Sequence, residues 1–317
     1  MNFGLLEIPS SLKKVLTFFR ERRNNTGVNA ITPYHQIQVV GTETDISVAI
    51  TPKGRGAIAA QVPDNTVSGG NARGLNAVDL QTSRVNSSAV ASGEKSVISG
   101  GSENRASGFG STVSGGTNGL AIGDYSTVSG GFINTASGEN STVSGGLANT
   151  ASGTNSTISG GSRATANSIS GLWAYGFFGE ALGRNQMSFF GARTTTTTTT
   201  PTRATANNAS ASATNQLTLR SNSAFLVSGR IVAWDTVAAT AAAWEFQNVL
   251  ITRAATAAST TLVGTRDVVL LNSNMATTPT ISVTADTTNG ALAVTVTSGS
   301  ANSTRWTCVL HAIETMT

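Results

Sequence analysis

Residues 96–170 form five consecutive units that read SVISGGSENRASGFG, STVSGGTNGLAIGDY, STVSGGFINTASGEN, STVSGGLANTASGTN and STISGGSRATANSIS. The units begin at positions 96, 111, 126, 141 and 156, so the period is 15 residues. Their consensus is S-T-V-S-G-G-x-x-N-x-A-S-G-x-x. A fixed period is typical of repeat architectures, in which each unit packs only against its neighbours. The repeat therefore decides the fold of this part of the chain.

Two columns of the repeat predict the interior of each unit. The third position is always β-branched, the eleventh is always alanine, and the fifth and sixth are a glycine pair. A β-branched residue beside hydroxyl residues suits a short strand with one inward side chain, and the glycine pair allows a tight corner. The Ala-x-Gly element predicts a second strand and corner, so each unit is one coil of a parallel β-solenoid. The predicted core residues are Ile98, Val113, Val128, Val143 and Ile158 in the first column and Ala106, Ala121, Ala136, Ala151 and Ala166 in the second.

The pattern continues on both sides of the five units. Residues 81–95 keep an Ala-Ser-Gly element, residues 171–185 keep Ala-Leu-Gly, and TVSGG recurs at 66–70. We therefore expect a shaft over 66–193 with about eight coils, which at ~4.8 Å per coil is about 40 Å long.

Such a coil has a thin core. Its β-branched residue contributes about 1.5–3 kcal/mol and its alanine methyl about 0.8 kcal/mol, whereas ordering one unit costs roughly 22 kcal/mol. Ladder hydrogen bonds offset part of this cost, but a single solenoid remains marginal. We therefore expect several chains to pack side by side, with three-fold closure as the natural arrangement and with the core columns contributing to trimer packing.

Two segments follow the repeats. Residues 171–193 contain 6 of the 18 aromatic residues of the chain. We expect them to form an aromatic cap that ends the shaft and covers its open strand edge, rather than a cofactor pocket. Residues 194–205 begin with an unbroken threonine run, Thr194–Thr200, which predicts an extended linker.

Residues 206–317 have the pattern of an all-β domain. Asn289-Gly290 predicts a hairpin turn, and seven strands in ~110 residues indicate a β-sandwich or jelly-roll knob. Trp234, Trp244 and Trp306 are candidates for stacking on a glycan, although core packing is favoured for each. The receptor-binding residues of the knob stay unassigned. The predicted strands are 215–220, 224–234, 242–252, 260–271, 280–285, 291–297 and 304–315.

Residues 1–30 predict a docking segment, and residues 31–65 a short β adaptor. In SSLKKVLTFFRERR, apolar residues at i, i+3, i+4 and i+7 predict an amphipathic helix with a basic face. We expect this helix to dock on another protein of an assembly; a membrane-surface helix and a frayed terminus are the alternatives. The predicted docking residues are Leu12, Val15, Leu16 and Phe19.

Charge is scarce in this chain, at 11% of the residues against 39% hydrophobic residues. The composition excludes coiled coils, helical bundles and charged disordered chains. Residues 1–23 contribute +3 of the net charge of +4, so no basic face for nucleic acid is predicted. No apolar run predicts a membrane span, no signal peptide is evident, and the single Cys308 indicates a buried apolar side chain rather than a disulfide.

No motif indicates catalysis, a cofactor or a metal site. His35 and His311 are interpreted as structural residues. The fourteenth repeat position carries Glu94, Asp124 and Glu139. Asp124 and Glu139 are expected about 5 Å apart in adjacent coils, a spacing that retaining glycosidases use. Solvated turn residues are favoured over a cation site and over catalysis, and we expect neither enzyme activity nor a cofactor.

The repeats resemble the head repeats of trimeric autotransporter adhesins, the YadA-like left-handed parallel β-roll, most clearly in GLAIGDYSTVSGG at 119–131. Upstream, ITPKGRGAIAAQVPDNTVSGGNARGLNAVDLQTSR at 50–84 resembles a segment that precedes such repeats in tail-fibre proteins of tailed bacteriophages. The resemblance covers about 50–193 and implies a homotrimer with a role in surface adhesion. A bacterial autotransporter is also expected to have a signal peptide, a coiled-coil stalk and a membrane anchor. The sequence predicts none of these, which favours a phage protein.

The resulting expectation is a homotrimeric phage tail fibre or spike, present in the virion and assembled in the host cytoplasm. Its N-terminus is expected to dock on a tail or baseplate protein, and its knob to bind a glycan or protein of the host surface. Binding of nucleic acid and insertion in a membrane are not expected. The alternatives are a capsid head fibre or decoration protein, a tail spike with glycan depolymerase activity, and the passenger of a bacterial trimeric adhesin.

Overall fold

A computed structural model describes residues 19–22, 34–37, 50, 52–166, 168–177, 185–264 and 267–316. These residues form strands and one short 3₁₀-helix, Ala257–Ser259, with no α-helix among them. None of the described helical residues belongs to a segment long and apolar enough to cross a bilayer. The chain divides into two compact units, Met1–Lys53 and Gly54–Thr317. The predicted all-β class with a β-solenoid is confirmed.

The strands are numbered in chain order. The N-terminal unit and the shaft contain β1 (Phe19–Arg22), β2 (Tyr34–Ile37), β3 (Ile58–Ala59), β4 (Val78–Asp79), β5 (Val97–Ile98), β6 (Arg105–Ala106), β7 (Thr112–Val113), β8 (Leu120–Ala121), β9 (Thr127–Val128), β10 (Thr135–Ala136), β11 (Thr142–Val143), β12 (Thr150–Ala151), β13 (Thr157–Gly161) and β14 (Trp173–Gly176). The knob contains β15 (Asn185–Thr196), β16 (Thr202–Arg203), β17 (Leu217–Thr218), β18 (Ser223–Asp235), β19 (Thr240–Arg253), β20 (Thr260–Val263), β21 (Val269–Ser273), β22 (Thr280–Asp286), β23 (Ala291–Thr297) and β24 (Thr304–Met316).

The N-terminal unit contains an antiparallel pair, β1 with β2, in which Phe19 lies opposite Ile37. The predicted amphipathic helix is therefore wrong at Phe19. The apolar spacing that predicted it covers only about two helical turns. Aromatic residues favour a strand where a partner strand satisfies the backbone. Leu12, Val15 and Leu16 lie outside the described residues.

The shaft is a parallel β-solenoid with three lines of contact between successive coils. One ladder contains β3, β4, β5, β7, β9, β11, β13 and β14, and a second contains β6, β8, β10 and β12. Equivalent residues of successive units lie opposite each other, as Val113 with Val128 and Ala121 with Ala136 do. Single bridges form the third line, through Ser102, Thr117, Phe132, Leu147 and Ser162.

The solenoid starts before the predicted residue 66. Ile58 pairs in parallel with Val78, and Val78 with Val97, which are spacings of 20 and 19 residues. These first coils have longer loops than the regular units. A search for the fixed period therefore does not find their strands.

The aromatic segment ends the solenoid by joining it to the knob. β14 is the last parallel strand, and β15 runs antiparallel to it, with Trp173 opposite Phe189. β15 then pairs along its whole length with β24. The parallel coils therefore end at Gly176, and residues 185–193 belong to the knob sheet instead of forming a further coil.

The threonine run differs from the predicted linker. Thr194 to Thr196 continue β15 and pair with residues 304–306 of β24, and Thr202–Arg203 forms β16. Threonine is β-branched and adopts extended backbone readily. The partner strand supplies the hydrogen bonds that make this segment part of the domain.

The knob is a sandwich of two sheets. The larger sheet has the order β20-β19-β18-β24-β15, continues through β14 into the shaft, and also carries β21 beside β19. The second sheet contains β16, β17, β22 and β23. Ile231 and Trp306 of the larger sheet share one hydrophobic core with Val294 and Val296 of the second.

The predicted knob strands agree with the structure except at two places. Of 215–220 only Leu217–Thr218 forms a strand, β17, and 260–271 forms two strands, β20 and β21. The hairpin turn at Asn289-Gly290 is confirmed. β22 and β23 are antiparallel, and Gly290 has a φ of 69°. The carboxylate of Asp286 accepts hydrogen bonds from the backbone N–H groups of Thr288 at 3.0 Å and Asn289 at 3.1 Å, which fixes the turn.

Candidate functional site

The ten core residues predicted from the repeat lie inside the coils. Each of them has 0% relative exposure within a single chain. They form the interior of the coils within one chain, and the contribution of these columns to trimer packing stays a prediction. The residues concerned are Ile98, Val113, Val128, Val143, Ile158, Ala106, Ala121, Ala136, Ala151 and Ala166.

Buried asparagines at the ninth repeat position connect neighbouring coils. The Nδ2 group of Asn134 donates to the carbonyl oxygens of Gly130 at 2.7 Å and Gly146 at 3.0 Å. Its Oδ1 accepts from the N–H of Asn149 at 2.9 Å. Asn104 and Asn149 make equivalent bonds. The asparagine column is visible in the consensus sequence, but the sequence alone does not show that its side chains bond to the neighbouring coils.

A buried cluster of charges lies in the first coils of the shaft. Asp79 occupies the core column, opposite Ile98, and has no exposed surface. Arg73 donates from Nε to the Asp79 carboxylate at 2.8 Å, and an Nη of Arg84 lies 3.9 Å from it. Both arginine side chains are at most 1% exposed. The members of this cluster lie outside the five regular units, so no column of the repeat predicts it.

The predicted aromatic candidates of the knob separate into two groups. Trp244 and Trp306 are buried, and their ring centroids lie 5.7 Å apart in the core. Trp234 is 45% exposed. Cys308 is also buried, and burial raises the pKa of its thiol to about 12, so it is not a reactive nucleophile.

The carboxylates of the fourteenth repeat position lie on turns. Asp124 and Glu139 are exposed, and Oδ1 of Asp124 accepts the backbone N–H of Phe109 at 2.8 Å. Glu94 pairs with Arg55. These contacts fit the favoured interpretation as solvated turn residues. Within the part of the chain that the structure describes, no group of three or more His, Cys, Asp or Glu is placed to hold a metal ion.

The most distinctive surface is the outer face of the knob, defined as the face of the larger sheet that points away from the second sheet. Its large apolar side chains are 38–51% exposed. They lie on adjacent strands, as Leu226 opposite Ile313 does. The large apolar residues of this outer face are Phe189, Leu226, Val232, Trp234, Val309 and Ile313.

A groove of about 320 Å³ crosses the outer face where β18 has a bulge between Val227 and Gly229. The ring of Phe189 stacks on the imidazole of His311 at 4.7 Å, and the ring of Trp173 lies 5.1 Å from Phe189. Aromatic and apolar walls with polar groups at the rim can hold an apolar side chain or the face of a sugar ring. The other charged and polar lining residues are Ser228, Arg230, Glu245 and Gln247.

A buried carboxylate lies where the knob meets the last coils. Glu314 of β24 is 2% exposed and pairs with Arg220. Burial raises the pKa of Glu314 to about 7. Opposite it in β15, Gln186 accepts the N–H of Thr165 at 2.9 Å and donates to the Thr165 carbonyl at 3.1 Å. A titratable group therefore lies next to a contact between knob and shaft.

Comparison with protein-family models and with curated proteins finds no match for this chain. Its architecture and its surface chemistry are therefore the basis for assigning a function.

Proposed function

We propose that this chain is a structural protein of a bacteriophage virion, a homotrimeric tail fibre that attaches the particle to the host cell surface. The observation that carries the proposal is that shaft and knob share one 14-stranded sheet. A knob that is hydrogen-bonded to the end of a solenoid is held at a set distance and orientation from the other end. An attachment fibre needs this property, because it presents a binding domain away from the particle.

The thin interior of the shaft supports a trimer. The first four regular coils each bury only two apolar side chains, one β-branched residue and one alanine, while several larger apolar side chains point outward. Ile122, Phe132, Ile133 and Leu147 are between 36% and 49% exposed on the surface of the coils. Three shafts packed side by side would cover such residues and supply the burial that one chain lacks.

The two ends are proposed to have different partners. The N-terminal residues dock on a protein of the phage tail or baseplate, and the knob binds a glycan or protein of the host surface. Three identical knobs on one fibre convert a modest affinity for each site into strong attachment, because the second and third contacts are intramolecular.

The rival functions use the same architecture. A capsid head fibre differs only in what the N-terminus binds, and a bacterial adhesin in how the chain is anchored. A depolymerase needs a carboxylate pair in a sugar-binding cleft, whereas Asp124 and Glu139 are exposed on turns. Attachment without cleavage is therefore the better supported function.

The proposal is tested with the purified full-length chain. We expect light scattering to give the mass of a trimer, and the labelled protein to bind a subset of bacterial strains with saturation. In lysates that contain the protein, an antibody raised against it should mark the tails of phage particles in electron micrographs. Marking of capsids would establish the head fibre instead. A monomeric chain that binds no strain and marks no particle would overturn the proposal.

Cleavage is measured on the same strains. Reducing ends released from their surface polysaccharide, and lost in the double variant Asp124→Asn, Glu139→Gln, would establish a depolymerase and contradict a role in attachment alone. Polysaccharide left unchanged by the wild-type chain is the expected result.

A further inference from the structure

The two central strands of the larger knob sheet are apolar on their inner face, and on their outer face they carry large apolar side chains beside polar ones such as Arg230 and His311. In β18, Phe225, Val227, Ile231 and Ala233 point into the core, while Leu226, Val232 and Trp234 point outward. In β24, Trp306, Cys308, Leu310 and Ala312 lie inside, and the outward residues are Val309 and Ile313 together with Arg305, Thr307, His311 and Thr315. Large apolar side chains on the second face of a strand are typical of sheets that are covered on both sides.

Only one side of this sheet is covered within the described residues. The inner face packs on the second sheet, whereas Val232 and Val309 of the outer face are each 51% exposed. A soluble monomer rarely leaves a contiguous apolar patch of more than a few hundred Å² in water. The outer face therefore has the chemistry of a surface that is buried in the assembled protein.

We propose that the outer face of the knob is the surface through which copies of this chain pack on one another. This inference rests on the homotrimer of the proposed function and identifies its contact surface. It places Val232, Trp234, Val309 and Ile313 between subunits, and it leaves the outermost strands and loops of the knob for the host receptor.

The size of the outer face fits contact with another copy of the chain. β18 and β24 each contain 13 residues. At about 3.4 Å per residue and about 4.8 Å between strands, four such strands present on the order of 800 Å². A stable protein–protein interface takes about 800 Å² from each partner. A bound sugar would cover only a small part of such a face.

The position of the face also favours another copy. The outer face continues without a break from the knob onto β14, where Trp173 and Tyr175 lie opposite Phe189 and Met187. When shafts pack side by side in register, their knobs lie at the same level along the fibre axis. In a three-fold arrangement, one part of the face then meets a different part of the same face in the neighbouring copy.

The distribution of the apolar residues suits three-fold contact. In a three-fold assembly each subunit contacts one neighbour with one part of its surface and the other neighbour with a different part. These two parts must therefore be complementary to each other. Leu226 and Ile313 lie at one end of the central strands, and Val232 and Trp234 lie toward the other. The groove near Phe189 gives the face a recess in which a side chain of the neighbouring copy can pack.

Light scattering on the full-length chain tests this surface. Val309→Glu places a charge in the outer face, and we expect it to shift the chain from trimer to monomer at micromolar concentration. Thr284→Glu places the same charge on an exposed position of β22 in the second sheet and is expected to leave the trimer intact. A trimer that survives Val309→Glu contradicts the inference and leaves the proposed function standing, whereas a monomeric wild-type chain contradicts the homotrimer itself.

A second measurement covers the case in which Val309→Glu does not fold. Ile313→Cys is expected to react with a maleimide at least tenfold more slowly in the native protein than Thr284→Cys. The native Cys308 is buried and stays silent. Equal rates at the two positions would show that the outer face is open to solvent. If Val309→Glu keeps its trimeric mass but loses binding to bacterial strains, the face holds the host ligand and the inference is wrong.

Discussion

The indole N–H of Trp306 donates a 2.9 Å hydrogen bond to Oγ1 of Thr196 in the interior of the knob. The two residues are 1% and 3% exposed. Thr196 is the third residue of the threonine run, so this bond ties the end of β15 to the knob core. The first part of the run is therefore a structural element of the domain and not a spacer.

Thr196→Val is expected to lower the free energy of unfolding by about 1–3 kcal/mol, because it leaves a buried indole N–H without an acceptor. Thr195→Val, exposed on the same strand, should change it by less than about 0.5 kcal/mol. Urea denaturation at equal protein concentrations measures both variants. Equal stabilities would show that the Trp306–Thr196 bond does not stabilise the fold.

The threonine run has an alternating burial pattern that its sequence does not reveal. Seven identical residues have no apolar alternation, yet Thr194 and Thr196 are buried while Thr195 is exposed. This alternation is imposed by the partner strand β24. In contrast, the repeat columns and the knob strands were predictable, because their β-branched and apolar residues recur with the spacing of the structure itself.

Gly116→Ala is expected to destabilise the shaft by at least about 2 kcal/mol. Gly116 has a φ of 82°, and a Cβ there would lie 2.4 Å from the carbonyl oxygen of Gly131 in the next coil. A Cβ on the neighbouring Gly115 would meet no atom within 4 Å, so Gly115→Ala is the matched control. Thermal denaturation followed by circular dichroism compares them. A similar loss in both variants would contradict the close approach of the coils at Gly116.

Asn134→Ala is expected to cost about 2 kcal/mol or more, because the buried N–H of Asn149 loses its acceptor and two bonds to carbonyl oxygens are lost. Ser137→Ala, at an exposed position of the same unit, should be nearly neutral. Hydrogen exchange of the Asn149 amide adds a local measurement. If that amide stays as protected in Asn134→Ala as in the wild type, the asparagine ladder does not connect the coils.

Asp79→Ala is expected to destabilise the first coils by about 3–5 kcal/mol, since it leaves Arg73 buried without its counter-charge. The double variant Asp79→Ile, Arg73→Met replaces this pair by apolar side chains, as at Ile98 in the next coil, and should recover part of the loss, because Arg84 stays buried without the carboxylate. Guanidinium denaturation measures both variants. Failure of the double variant to recover stability would mean that the charges themselves are required.

Glu314 is expected to make the stability of the protein depend on pH. Its pKa is raised from an ordinary 4.5 to about 7 by burial, so the folded state holds this proton more tightly than the unfolded state. The free energy of unfolding therefore falls as the pH rises from about 4.5 to about 7, and levels off above that. Across this pH range, the melting temperature of Glu314→Gln should decline less than that of the wild type. Glu139→Gln, on an exposed turn, should keep the slope of the wild type.

The candidate sites were less predictable than the fold. The residues of β18 and β24 show in sequence that large apolar side chains occur on both faces of these strands, but not which element covers each face. That choice follows from the packing of β23, which lies about 60 residues away from β18 in the chain. The buried charges of Asp79, Arg73 and Arg84 lie in coils of irregular length, so no repeat column identified them. The helix expected near Phe19 failed because a distant strand offered a pairing that local spacing does not reveal.

The register of the shaft also bears on how its length can change. The coils that begin at residues 126 and 141 present the same strand edges and the same asparagine bonds to the next coil. Removing or duplicating one of these two 15-residue units therefore leaves the same type of contact at both junctions and moves the knob by about 4.8 Å. Recombination between the nearly identical unit sequences can thus set the reach of the knob in fixed steps, without any new adaptation of the domains at either end.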